Sequence, residues 1–259
     1  MLFYETTGAG FPLVLLHPFP VHHGFWMPIR DQLAARYKLI LPDLRAHGRS
    51  EVGTGTATMA KHADDIRKVL DAEHVARAIF VGISIGGYIL FEFWRCYRER
   101  VAALVLSNTR AEADTEQGRA NRAKSVADAR LHGTAPFFDA QISHLIGETT
   151  RRNRPDIVAE ARAKMQSMTV DGLAAIQQGM AERPDSVPTL REISVDTLII
   201  AGEEDTLTPL PHAKVMHQHI PGSKLIVIPK SGHYAALEQP EQFSRALRQF
   251  LDGLTLEHS

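Results

Sequence analysis

The chain has 259 residues, 44% of them hydrophobic, which is ample for a substantial core and excludes global disorder. Its 29 basic and 30 acidic residues leave a net charge of −1 with no long block of either sign, which argues against nucleic acid and anionic membrane surfaces as partners. One cysteine, Cys96, excludes an internal disulfide and a cysteine metal cluster; the expectation is a small core residue and a reducing compartment.

In chain order, Met1 to Glu5 carries no basic segment followed by a long apolar region, and no stretch approaches a membrane span, so a soluble, cytoplasmic protein is expected. Short apolar runs then recur at Pro12 to His17, Tyr37 to Pro42, Ala78 to Val81, Val101 to Leu106, Thr197 to Ala201 and Lys224 to Ile228, each reading as a buried strand. Helix-length segments alternate with them: Phe25 to Arg36, Ala57 to Asp71, Ile85 to Tyr97, Pro209 to His219 and Pro240 to Leu251. Alternating β and α units imply a mostly parallel sheet covered on both faces, with its active site beyond the carboxyl ends of the strands. From about Arg110 to Pro188 the alternation stops. Asp114 to Leu131, Pro155 to Met168 and Val170 to Glu182 predict three or four helices inserted between two strands. The expected organisation is one domain over 1–259, with core 1–109 and 189–259 and a helical cap at 110–188. The closing Leu256-Glu257-His258-Ser259 carries no signal.

The sharpest motif is Gly82-Ile83-Ser84-Ile85-Gly86-Gly87, between the run ending at Val81 and the apolar-periodic Tyr88 to Trp94. A strand, a sharp turn and a helix in that order lift the central side chain clear of both elements and need near-absent side chains two positions away, which Gly82 and Gly86 supply. A serine there, beside the amides of a helix N-terminus, is placed to attack an acyl carbon. A serine nucleophile needs a base, and the base needs an acid. Asp205, in the polar loop Glu203 to Pro209 after the run ending at Gly202, is the expected acid, ahead of Glu203 and Glu204, which come earlier in the turn and read as solvated surface. His233, after Ser231-Gly232 and the run ending at Ile228, is the expected base among 13 histidines. Two backbone donors must stabilise the developing oxyanion. Ile85 follows the nucleophile, and in Pro18-Phe19-Pro20 only Phe19 has an amide hydrogen. His17 reads as an anchor for that loop.

With His17-Pro18-Phe19-Pro20, Asp43-Leu44-Arg45-Ala46-His47-Gly48-Arg49-Ser50, the Gly82 to Gly87 turn, Gly202 to Asp205 with Pro209, and Ser231-Gly232-His233, the chain resembles the α/β-hydrolase superfamily over essentially its whole length. Within it the chain is most similar to small capped esterases and lactonases around 3-oxoadipate enol-lactonase, with carboxylesterases and cofactor-free perhydrolases as further relatives. Pro18 departs from the usual glycine, and Ala46-His47-Gly48 from a more glycine-rich turn. The resemblance implies an α/β fold with a mostly parallel eight-stranded sheet, helices on both faces and a helical cap. It also implies a serine hydrolase of small carboxylic esters or lactones working through a Ser84 acyl-enzyme with Asp205 and His233, without cofactor or metal. Asp43 to Ser50 is expected to be structural. Perhydrolysis, acyl transfer, carbon–carbon bond hydrolysis and ligand sensing with a retained triad are the alternatives on the same site.

Phe25, Trp26, Ile83, Phe137, Phe138 and Tyr234 lie near the loops or the cap and are the candidate walls of the acyl pocket, with core packing as the competing role of each. Arg110 and Arg151 read as solvated cap arginines, and no arginine pair for a dicarboxylate stands out. Oligomeric state is not encoded legibly.

Overall fold

The computed structural model describes residues 1–255, so the closing tetrapeptide lies outside it. The strands are β1 (Tyr4–Thr7), β2 (Phe11–Leu16), β3 (Tyr37–Pro42), β4 (Ala78–Ile83), β5 (Val101–Ser107), β6 (Thr197–Gly202) and β7 (Lys224–Ile228). They form one sheet in the order β1-β3-β2-β4-β5-β6-β7. β1 runs antiparallel to β3 and every other pairing is parallel. Among the described residues the sheet therefore has seven strands rather than the expected eight. β1 ends at Thr7 and β2 begins at Phe11, with Gly8 and Gly10 at positive φ between them, so the N-terminus supplies a single antiparallel edge strand.

The helices are α1 (Met27–Ala34), α2 (Met59–Ala72), α3 (Ile85–Tyr97), α4 (Glu116–His132), α5 (Ala135–Leu145), α6 (Glu148–Asn153), α7 (Pro155–Met165), α8 (Val170–Ala181), α9 (Val187–Leu190), α10 (Leu210–His219), α11 (Ala235–Glu238) and α12 (Pro240–Leu251). Thr58, Thr115 and Thr169 cap α2, α4 and α8 by accepting from Lys61, Gly118 and Gly172 amides. Because side chains alternate along a strand, the sheet divides its apolar residues between two cores. Leu13, Leu15, Ile79, Val81 and Ile83 face one, with Trp26, Phe243 and Leu247; Val14, Leu16, Phe80, Leu104 and Leu106 face the other, with Ile66, Ile89 and Trp94.

Five helices, α4 to α8, occupy the interval between β5 and α9, more than the three or four expected. The additions are α5 and α6. Phe138, Ile142 and Leu145, all buried, mark α5 at helical spacing. Cys96, expected in the core, is exposed on α3: the last turn of that helix has left the sheet, with Arg95 and Tyr97 only partly covered on either side. Among the described residues no helix is long and apolar enough to cross a membrane.

Candidate active site

The strand order reverses at β2, which has β3 on one side and β4 on the other. Such a switch opens a crevice at the carboxyl ends of the strands, and here the loops that leave β2 and β4 carry Phe19 and Ser84.

Ser84 sits between β4 and α3 at φ 55° and ψ −114°, a strained conformation for a residue with a side chain. Close packing on both sides holds it. A Cβ on Gly82 would stand 2.6 Å from the Gly86 carbonyl carbon, and one on Gly86 would stand 2.7 Å from Leu16 O. The Ser84 amide donates to Ser107 O at 3.1 Å, and the Thr109 hydroxyl donates to Ser84 O at 2.7 Å. The Ser84 hydroxyl does not cap α3 and makes no hydrogen bond among the described residues. It opens instead into a cavity of about 330 Å³ whose walls include Phe19, Tyr88, Arg110, Arg122, Phe137, Leu207 and His233.

His233 is buried and its Nδ1 donates to Asp205 Oδ2 at 2.9 Å. That bond commits the Nδ1–H tautomer and leaves Nε2 able to accept a proton. Asp205 Oδ2 also accepts from the Thr208 hydroxyl at 2.6 Å and Asn108 Nδ2 at 2.9 Å, while Oδ1 accepts from the Leu207 and Thr208 amides at 2.9 and 3.0 Å. Burial alone would raise this carboxyl, but the adjacent His233 and the donated hydrogen bonds outweigh it and hold Asp205 well below the ordinary carboxylate range. Asn108, absent from the sequence reading, adopts φ 44° at the end of β5 and also donates to Gly232 O at 3.1 Å, so it ties the acid loop to the histidine loop. A strand-end asparagine at such a φ is the one local signal it carries.

Ile85 opens α3, where its amide has no intrahelical acceptor. The Phe19 loop is held from three sides. His17 Nδ1 donates to Pro18 O at 2.9 Å, His17 Nε2 accepts from the Leu44 amide at 2.9 Å, and the Tyr234 hydroxyl donates to Phe19 O at 3.0 Å. Burial lowers the His17 pKa well below its usual value, so the ring is a neutral strut, as the sequence suggested for an anchor. The neighbouring turn is held by Asp43, whose carboxylate accepts from the His23 amide, His23 Nδ1 and the Arg49 amide at 2.7 to 2.8 Å. His22, His23 and Asp43 are the one group with metal-ligand atoms in mutual reach among the described residues. Those atoms are spent locally, since His22 Nδ1 accepts from the Gly24 amide and His23 Nδ1 is bound to Asp43.

The expected pocket walls divide. Phe137 lines the cavity. Phe25, Trp26, Ile83, Phe138 and Tyr234 are not among its walls and pack instead in the core on one side of the sheet. Aromatic rings near an active-site loop are drawn under it by burial, and Tyr234 meets the site from beneath, with its hydroxyl on Phe19 O and its ring centre 6.1 Å from that of His233. Glu204 is not solvated surface: its carboxylate accepts from the Thr149 amide and hydroxyl at the start of α6. Glu203 accepts from the Lys230 amide at 3.0 Å. Glu238, unnoticed in the sequence, is 4% exposed and accepts from the amides of Gly147, Gly232 and Tyr234. Arg110, expected in solvent, lines the cavity with Arg122.

Comparison with known proteins follows the same lines. Residues 12–240 match the family described as alpha/beta hydrolase fold. A thermophilic esterase from Thermogutta terrifontis, solved with malate bound, superimposes with a TM-score of 0.94 at 37% identity, covering 97% of this chain and 93% of that one. Est816, described as an N-acyl homoserine lactone degrading enzyme, gives a TM-score of 0.84 at 30% identity over 96% of each chain. 3-Oxoadipate enol-lactonase 1 of Acinetobacter baylyi is 28% identical over 232 residues, 90% of this chain and 85% of its own length. With a family match across most of its length and a sheet, turn and loop order that agree with it, the chain belongs to the α/β hydrolase fold family.

Proposed function

We propose that this protein hydrolyses small carboxylic esters or lactones through an acyl-enzyme on Ser84. The observation that carries the reading is the shared cavity: Ser84, on a strained turn with an uncommitted hydroxyl, faces the same space as His233, whose other ring nitrogen is bound to Asp205 at 2.9 Å. Esterases and lactone-degrading enzymes among its relatives favour the same chemistry.

In this mechanism Ser84 Oγ attacks the carbonyl carbon while His233 Nε2 takes the hydroxyl proton. Asp205 keeps the imidazole in the required tautomer and stabilises its charged form. The amides of Phe19 and Ile85 receive the oxyanion. Collapse of the tetrahedral intermediate breaks the bond to the alkoxy oxygen, which takes its proton from His233. Water then attacks the acyl carbon with His233 as base, and the second collapse releases the acid and restores Ser84. For a lactone, leaving oxygen and acyl group stay in one product, a hydroxy acid. The helices of 110–188 serve as the cap over this chemistry. No metal or cofactor enters any step.

p-Nitrophenyl butyrate turnover tests the assignment. Ser84→Ala should lower kcat by at least about 10⁴-fold with the fold intact, since removing a nucleophile of this kind costs about 10⁶. Turnover at wild-type rate in purified Ser84→Ala protein would refute it.

A further inference from the structure

We infer that Arg110 and Arg122 form a carboxylate-binding subsite in the cavity of Ser84, so that the preferred ester or lactone carries a free carboxylate. The inference rests on the reading of Ser84 as nucleophile and adds a substrate class to it.

Three guanidinium groups converge on one carboxylate. Asp114 Oδ1 accepts from an Arg110 Nη at 2.7 Å and from an Arg183 Nη at 2.8 Å, and Oδ2 accepts from Arg122 Nε. Asp114 is 4% exposed and its carboxyl lies below the usual range, so it contributes one full negative charge against three positive ones. Around the cluster, Gln177 Oε1 accepts from Arg122 Nη1 at 2.8 Å, Arg183 donates to the carbonyls of Met180 and Glu112, and its guanidinium lies 4.2 Å from the centre of the Tyr88 ring. These partners are neutral. Glu112 turns its carboxylate to His212 at 3.0 Å and is not a wall of the cavity. Asp114 is the one acidic residue among the described cavity walls, so the excess positive charge meets no second protein anion there.

Arg183 stands behind the wall, while Arg110 and Arg122 face the cavity. Arg110 Nε is buried without a hydrogen-bond partner, and Arg122 Nη2 donates to no described residue. Arg122 Nη2 is therefore the unpaired donor a ligand can meet directly, with the Arg110 charge beside it, and a planar carboxylate matches such a guanidinium edge. The chain also puts them beside the reacting atom. Arg110 follows Thr109, whose hydroxyl is bonded to Ser84 O, and Tyr88 lies one helical turn beyond Ser84 on the same side of α3. Phe19, Phe137, Leu145 and Leu207 give the cavity apolar walls as well. A short aliphatic chain between the scissile carbonyl and a terminal carboxylate satisfies both kinds of wall within about 330 Å³.

Methanol release from monomethyl glutarate and from neutral dimethyl glutarate at pH 7.5 supplies the test. Wild-type kcat/KM should favour the monoanion by at least about ten-fold, and Arg110→Gln and Arg122→Gln should each lower that ratio about ten-fold or more. Arg122→Lys, which keeps the charge without the planar fork, should retain part of the preference. A wild-type preference for the diester, or equal losses on both esters in the glutamine variants, would overturn the subsite and leave the cluster as a clasp within the insertion. Should the glutamine variants not fold, wild-type turnover of p-nitrophenyl butyrate should be inhibited competitively by glutarate and at least ten-fold less by neutral glutaramide; equal inhibition overturns the proposal. Calorimetry of glutarate with Ser84→Ala protein separates the two readings. Binding there supports the subsite even if no ester is turned over, and absence of binding beside normal butyrate turnover refutes the subsite alone.

Discussion

Replacing Glu238 by glutamine tests whether one buried carboxylate fastens the helical insertion to the loop that carries His233. Glu238 Oε1 accepts from the amides of Gly232 and Tyr234 at 3.0 and 3.2 Å, and Oε2 accepts from the amide of Gly147, just before α6, at 2.9 Å. Glutamine keeps one carbonyl oxygen, and two amides compete for it on the His233 side. Its NH₂ then faces the Gly147 N–H, donor against donor. One charge-assisted hydrogen bond is lost and a buried amide is left unpaired, together about 3 kcal/mol. Burial raises the Glu238 carboxyl, so removing that buried charge offsets part of this and leaves a net loss of about 2 kcal/mol. For a chain of this size that lowers Tm by about 4–8 °C. Differential scanning calorimetry at pH 7.5 measures it directly, with kcat on p-nitrophenyl butyrate expected to fall about ten-fold as the His233 loop slackens. A Tm within about 1 °C of wild type would show that the three amides find partners without the carboxylate, and the reasoning would fail.

Two further outcomes follow from packing and charge. Burial pushes His47 down to about 4 and His62 to about 3, and lowers His17 further below its usual value. As pH falls below about 6.5 the unfolded chain takes up protons that the folded chain refuses, so stability drops; His47 and His62 account for about 2 kcal/mol each by pH 5. His22, lowered by burial, adds to the loss, while His23, raised by its bond to Asp43, works in the opposite direction, and the net loss between pH 7.5 and 5 should be at least about 3 kcal/mol in urea unfolding. Equal unfolding midpoints at the two pH values would refute it. Gly179→Ala sets helix propensity against a backbone clash: alanine favours α8 by about 1 kcal/mol, but its Cβ would collide with Ala57 O, where the core loop also donates from Ala57 N to Ala175 O at 3.1 Å. The clash should win, with a Tm loss above about 5 °C by scanning calorimetry; a gain in Tm would show that the loop yields freely.

Much of the fold was legible because its signals are short-range. Each of the six apolar runs became a parallel strand, and the glycines at 82 and 86 marked the Ser84 turn, because an apolar run and a side-chain-free turn read the same in sequence and in structure. The exceptions have physical causes. β1 was missed because Tyr4-Glu5-Thr6-Thr7 is a half-exposed edge strand without an apolar run. Phe25, Trp26 and Tyr234 were near the right loops, but adjacency in sequence does not say whether a ring faces a cavity or the core beneath it.

The sequence by itself determined the alternation of strands and helices, the turn that presents Ser84, and the order in which Asp205 and His233 follow it. These depend on periodicity and turn chemistry within a few residues. Tertiary structure alone decided what surrounds them: Asn108 meets Asp205 across 97 positions, Glu238 meets Gly147 across 91, and Arg183 joins Asp114 and Arg122 from the far end of the insertion. Those partners are chosen by how elements far apart in sequence pack against one another, and a surface arginine and a cavity arginine look alike until that packing is formed.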